Sequence, residues 1–173
     1  DPLPAEDAAR LAEVGDRPFA LYVGNMTELK NFAGLARVWA TLRDELGLAL
    51  VAVGGRAAAF SGAGPTLEPA VRDAVTWLGQ VDSPALLAAL YRRAALLVLP
   101  SFSESFGLPA LEALAHGCPV AASRLPAVEE VCGDDAEYFD PASDEDLARA
   151  THKAIHDVTM GIESFGFNAA IAK

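Results

Sequence analysis

The chain has 173 residues, enough for one domain whose core needs neither disulfides nor a metal to hold it together. It is 52% hydrophobic and 21% charged, and its apolar runs are broken by Arg, Asp, Gly or Pro well short of the ~20 residues of a spanning helix, so a globular protein without a transmembrane segment is expected. The formal net charge of -11 excludes a surface built to neutralise nucleic-acid phosphates, which takes clustered Lys and Arg.

Residues 1–16, rich in Asp, Glu, Ala and Pro, read as a linker from a preceding domain absent from this sequence. The apolar run Phe19–Val23 follows, then Asn31–Leu46 with apolar residues at three- and four-residue spacing. The pattern repeats: runs at Leu48–Val53, Val75–Leu78, Ala95–Leu99 and Pro119–Ala122, with helical segments at Pro65–Ala74, Pro84–Arg93, Leu108–His116 and Asp144–His156. Tyr138–Phe139 is a short sixth run. Such alternation predicts an α/β fold, a doubly wound parallel sheet of about six strands over residues 17–156. Gly24, Gly54, Gly79, Pro100 and Gly117 stand at run boundaries, where the chain must turn. Residues 157–173 show no clear period and receive no function; Glu163-Ser164-Phe165-Gly166 echoes Glu104-Ser105-Phe106-Gly107 without a preceding strand and reads as coincidence. Cys118 and Cys132 lack a second thiol or His at metal spacing and read as free cysteines of a reducing compartment.

In open sheets of this kind ligands bind outside the carboxyl ends of the strands, which directs attention to the loops after Val23, Val53, Leu78 and Leu99. The last of these, Ser101 to Pro109, runs into a helix whose start Pro109 marks. First-turn amides have no intrahelical acceptor and lie at the positive end of the helix dipole, so this helix start is a candidate anion site. Gly107 permits close backbone approach there, and Glu112, about one turn into the helix, can accept hydrogen bonds from a diol such as ribose. Lys30 stands near the start of the helix after the first run, an unfavourable end for a cation unless an anion is bound beside it. Arg56, after Gly54-Gly55, is left out of the assigned set.

The stretch PSFSESFGLPALEALAHGCPVAAS, Pro100 to Ser123, resembles the pattern of family 4 glycosyltransferases: a strand, E-x-FG-x-P-x-x-E-A-x-A, then G-x-PV and another strand. Tyr22-Val23-Gly24 with Lys30-Asn31, Val75 to Val81, Leu90-Tyr91 before Ala94, and Tyr138-Phe139-Asp140-Pro141 extend the similarity over roughly residues 17 to 150. The resemblance implies a Rossmann-like domain, one half of a GT-B architecture, and specifically its carboxyl-terminal, donor-binding half.

By that resemblance Glu112 binds the ribose hydroxyls of a nucleoside diphosphate sugar, and Glu104 faces the transferred sugar. The amides of Phe106, Gly107 and Leu108 meet the sugar or diphosphate, and Lys30 neutralises the diphosphate as it leaves. Gly24 and Asn25 line the diphosphate side, while the backbone at Gln80 and Val81 reads the base. Asn25 stands where many members carry Arg, which shifts diphosphate binding toward the helix-start amides, and Ser105 replaces a commoner glycine. The implied reaction is transfer of a hexose to an acceptor hydroxyl with retention, needing no cofactor and no metal. The first-strand loop and the Tyr138 to Pro141 segment look most like bacterial mannosyl- and rhamnosyltransferases of surface polysaccharide synthesis, a cytoplasmic setting with peripheral membrane contact for the full-length protein, and tilt the donor toward GDP-mannose. The acceptor, a sugar or lipid-linked sugar, would be held by the missing amino-terminal domain. Two other readings stay open on the sequence: a GT-B sugar-nucleotide enzyme such as an epimerase, and a non-catalytic nucleotide-binding module.

Overall fold

The inner strands are apolar at consecutive positions because the sheet is covered there on both faces, the pattern expected of parallel strands. The computed structural model describes residues 2–55 and 69–161. It contains six strands, β1 Phe19–Val23, β2 Ala49–Val53, β3 Val75–Gly79, β4 Leu96–Leu99, β5 Val120–Ser123 and β6 Glu137–Phe139. The helices are α1 Ala5–Glu13, α2 Phe32–Leu46, α3 Pro69–Asp73, α4 Pro84–Arg93, α5 Leu108–Ala115, α6 Pro126–Cys132 and α7 Asp144–Thr159, with a 3-10 turn at Glu28–Lys30. No described helix is long and apolar enough to cross a membrane.

All strand pairs are parallel, in the order β3-β2-β1-β4-β5-β6. The chain starts in the middle of the sheet at β1, walks outward to β3, returns to lay β4 beside β1, and walks outward again to β6. Between β1 and β4 the connections leave in opposite directions, so a crevice opens at their carboxyl ends. The pairings Ala20 with Leu96 and Leu21 with Leu97 set the register of the two strands.

Side chains alternate between two cores. Ala20, Tyr22, Leu50, Leu96 and Val98 pack under α2 and α7, whose Phe32, Leu35, Trp39, Leu42, Leu147 and Ala150 are buried. Phe19, Leu21, Val51, Leu97, Leu99 and Val120 pack on the other face beneath α4, α5 and α6. The one polar atom that Trp39 takes into the core is satisfied: its indole Nε1 donates to the Leu48 carbonyl at 3.1 Å. Two helix starts carry serine caps, the Ser83 hydroxyl accepting from the Leu86 amide at 3.3 Å and that of Ser143 accepting from the Asp146 amide at 3.1 Å.

Three expectations need correction. The segment 1–16, read as a linker, contains the nine-residue helix α1, docked by hydrogen bonds onto α4 and the loop before it. Helix α6 was not anticipated; it is seven residues long, and two buried side chains, Val128 and Cys132, are too few to establish a period. Helix α7 runs to Thr159, past the expected end at His156, because Ala154 and Asp157 stay buried along the same face. Of the helix expected over Pro65–Ala74, residues 69–73 form α3 and 65–68 lie outside the described residues, as do Arg56 and the Glu163 to Gly166 echo.

Candidate functional site

The loops after β1 and β4 are tied together at the crevice by backbone and side chain alike. The Phe102 amide donates to the Leu29 carbonyl at 2.8 Å. Asn31, in the left-handed conformation at φ 52°, turns the 3-10 segment into α2 and sends its side-chain amide to the carbonyls of Pro100 at 3.0 Å and Pro141 at 3.2 Å. Loops after β1, β4 and β6 thus share one anchor.

Across this junction the Lys30 ammonium donates to Glu104 Oε1 at 2.7 Å, and the Ser101 hydroxyl donates to the same oxygen at 2.7 Å. The Glu104 side chain is 7% exposed and that of Lys30 32%. Ser101 itself is fully buried. The negative charge is therefore held by two donors on one oxygen, and Oε2 is the edge left for a ligand. The cation at the start of α2 meets a carboxylate, which offsets its unfavourable place at a helix amino end. Tyr22, buried below, donates from its hydroxyl to the Asn25 carbonyl at 2.9 Å, and burial together with the Glu104 charge pushes its pKa well above the usual tyrosine value.

Beside Glu104 the chain enters α5 through Gly107, whose φ of 78° lies in the left-handed region; a Cβ there would sit 3.2 Å from Val128 Cγ2. Its carbonyl accepts from the amides of Ala110 and Leu111, while the amides of Phe106, Gly107 and Leu108 donate to no protein acceptor among the described residues. Phe106 and Leu108 expose about half of their side chains. Unpaired amides at an open helix start are the donors that an anion site at this position would need.

Glu112 lies farther along α5 and half-buried. The hydroxyl of Tyr91, from α4, donates to Glu112 Oε2 at 2.8 Å, and burial followed by this bond drives the tyrosine pKa well up. His116 stacks on Tyr91 with ring centroids 5.6 Å apart and lies 2.8 Å through Nδ1 from the Glu112 carbonyl. One carboxylate oxygen is fixed and the other is open. Neither Tyr91 nor Ser101 had been singled out as a carboxylate partner; a hydroxyl residue in an apolar run is the only hint their sequence offers.

Gly24 and Asn25 sit where β1 meets β2: the Gly24 amide donates to the Val53 carbonyl at 2.9 Å, and Asn25 Oδ1 accepts from the Gly55 amide at 3.3 Å. Gln80 and Val81 lie in the loop after β3, two strands away from β1, with the Gln80 side chain donating to Asp82 at 3.2 Å. Along the carboxyl edge of the sheet the candidates therefore run in a line: Gln80 and Val81, then Gly24 to Lys30, then Glu104 to Leu108, with Glu112 behind them against α4. The structure joins Lys30 directly to Glu104; it does not join Glu112 to either.

No group of three or more His, Cys, Asp or Glu side chains is gathered for a metal among the described residues. An Asp-x-Asp triplet occurs at Asp144-Glu145-Asp146. Its carboxylates are engaged at the start of α7, Asp144 with Arg37 at 2.8 and 2.9 Å and Asp146 with Arg149 at 2.6 Å. Those guanidiniums hold both acids below the ordinary carboxylate range.

The sequence model of the family described as glycosyl transferases group 1 matches residues 17–157. Over 126 residues, 71% of this chain, the sequence is 36% identical to O-antigen chain mannosyltransferase B of Escherichia coli, and the match spans 33% of that protein. A sucrose-phosphate synthase from Thermosynechococcus elongatus superposes with a TM-score of 0.69 at 27% identity, covering 97% of this chain and 44% of that one. The chain thus spans a third to under a half of these proteins' length. A 30-residue stretch, 17% of this chain, is 87% identical to the leucine–tRNA ligase of Roseobacter denitrificans and covers 4% of it.

Proposed function

Because the chain belongs to the group 1 glycosyl transferases, we propose that it is the donor-binding half of a retaining hexosyltransferase, holding a nucleoside diphosphate sugar across the crevice between β1 and β4. The observation that carries this reading is the pairing of Lys30 with the buried Glu104 at that crevice, beside three unpaired amides at the start of α5. A base at Gln80 and Val81, a ribose on the open oxygen of Glu112, and a diphosphate at Lys30 and the α5 amides follow the line of candidates along the sheet edge.

In the transfer, the bond from the anomeric carbon to the diphosphate oxygen breaks, and the acceptor oxygen takes its place while its proton passes to the departing diphosphate. Charge gathers on the departing diphosphate. Lys30 and the fixed amides of Phe106, Gly107 and Leu108 are the groups that meet it, donors already oriented before the charge develops. Glu104, held by Ser101, presents Oε2 to the sugar's hydroxyls. GDP-mannose is the favoured donor, supported by the mannosyltransferase name of the relative above. The acceptor belongs to a second domain, so the isolated chain binds donor and turns it over poorly. The setting we assign is cytoplasmic, at the inner face of the membrane for a longer parent protein.

Calorimetric titration with GDP, UDP, ADP and dTDP tests the reading. One of the four binds the parent, Glu112→Ala loses that affinity, and Glu104→Ala loses mainly the added affinity of the sugar-bearing donor. Absence of binding to all four makes the fold a module without this ligand, and robust transfer by the chain alone contradicts the two-domain requirement.

A further inference from the structure

The helix α1, expected to be a mere connection, reaches the far end of the candidate site. Arg10 Nη2 donates to the Leu78 carbonyl at 2.6 Å and to the Gln80 carbonyl at 2.9 Å, across 68 and 70 residues of chain. A second tie runs beside it: the Ser83 hydroxyl, which caps α4, donates to Asp7 Oδ2 at 2.5 Å, and Asp7 is buried. The loop between β3 and α4 is therefore gripped at both ends from one face of α1. Between these grips Val81 packs its side chain against the core, and its amide and carbonyl have no partner among the described residues.

We infer that Arg10 is a positioning residue for nucleobase recognition: by occupying the carbonyls of Leu78 and Gln80 it fixes the loop so that the amide and carbonyl of Val81 are the pair that reads the base edge. The inference rests on the nucleotide reading above. Its physical basis is preorganisation. A free loop must lose backbone freedom when it takes up a base, whereas a loop already held by a charged donor does not. Two carbonyls on one guanidinium nitrogen also remove two acceptors that would otherwise accept indiscriminately from any base, while Val81 keeps an adjacent donor and acceptor. Arg10 touches no ligand in this arrangement; it acts through the loop.

Arg10→Met keeps the aliphatic stem and removes both donors, and Arg10→Lys returns a cation that can serve them in part. For Arg10→Met the Kd of the preferred nucleoside diphosphate rises about tenfold and discrimination among GDP, UDP, ADP and dTDP narrows, while the Kd of inorganic pyrophosphate, which carries no base, is unchanged. Arg10→Lys falls between parent and Arg10→Met. A second arm needs no ligand: backbone 15N order parameters at Gln80, Val81 and Asp82 drop from the rigid range of about 0.85 toward about 0.6 in Arg10→Met, with β1 and β4 unaffected. Equal weakening of pyrophosphate and nucleotide, or unchanged affinity and selectivity, overturns the proposal. Unchanged order parameters overturn the clamp whatever the ligand does. A parent protein that binds pyrophosphate but no nucleotide overturns the base-reading role together with the donor reading, even with the order-parameter loss in place.

Discussion

Replacing Lys30 by Met strips the buried Glu104 of its counter-ion while preserving the length and most of the bulk of the side chain. The ion pair is 2.7 Å long, with Glu104 7% and Lys30 32% exposed. At an effective dielectric of about 20, two charges at that distance attract by about 6 kcal/mol, most of it offset by the desolvation of the pair. Breaking fully buried pairs costs about 3–5 kcal/mol and exposed ones about 0.2–1 kcal/mol; with one partner a third exposed and Ser101 still donating to the carboxylate, about 2 kcal/mol is expected. In a protein of this size that lowers Tm by about 4–8 °C. Thermal unfolding at neutral pH and low salt measures it. The double variant Lys30→Met with Glu104→Gln removes the stranded charge and regains most of the loss, since a neutral amide still accepts from Ser101. A Lys30→Met protein within about 0.5 kcal/mol of the parent, or a double variant no better than the single, refutes the claim that the crevice holds a buried charge balanced across β1 and β4.

Tyr91→Phe deletes the hydroxyl that fixes Glu112 Oε2 at 2.8 Å; calorimetry should show nucleoside diphosphate affinity weaker by about 1 kcal/mol, roughly fivefold, with sugar discrimination intact. Gly54→Ala places a Cβ 1.9 Å from the Gly24 carbonyl oxygen at a φ of 140°; urea denaturation should register a loss of at least about 3 kcal/mol, and a loss under about 1 kcal/mol contradicts the close approach of these loops. Gly107→Ala meets a φ of 78° and Val128 Cγ2 at 3.2 Å, costing about 1–2 kcal/mol in the same assay and weakening diphosphate binding, because the loop that aims the α5 amides must shift. The thiols of Cys118 and Cys132 are buried, which pushes their pKa values up to about 12 and about 11. Neither forms thiolate near neutral pH, so a disulfide reagent at pH 8 labels both only after unfolding; rapid labelling of the folded protein contradicts their burial.

The strands were legible because a sheet covered on both faces leaves consecutive apolar residues with turn residues between them. The six observed strands fall on the six apolar runs, with ends shifted by a residue or so where Leu48 and Pro119 stay outside the ladder. The placement of the candidate acidic and backbone groups at strand ends and at a Pro-marked helix start was legible too. Their partners were not. The contacts Tyr91 to Glu112 and Arg10 to Leu78 join residues 21 and 68 positions apart, and a single sequence carries no signal for such pairings. Ser101 is three residues from Glu104, yet only the curl of the loop brings its hydroxyl to Oε1. Helix α1 was hidden by its composition: an acidic, proline-led stretch suits a linker, and what makes it part of the domain is the grip of Asp7, Arg10 and the α4 residue Arg93 on distant backbone and side chains. The Asp-x-Asp triplet teaches the converse. Its letters suit a metal, but its carboxylates belong to arginines.

The central claim is that this chain holds the nucleoside diphosphate of a sugar donor, and isothermal titration of the parent and Glu112→Ala with GDP, UDP, ADP and dTDP tests it most directly. One nucleotide should bind the parent at least about tenfold more tightly than Glu112→Ala, with both proteins equally folded. Failure of all four to bind the folded parent, or equal binding by parent and variant, would contradict it.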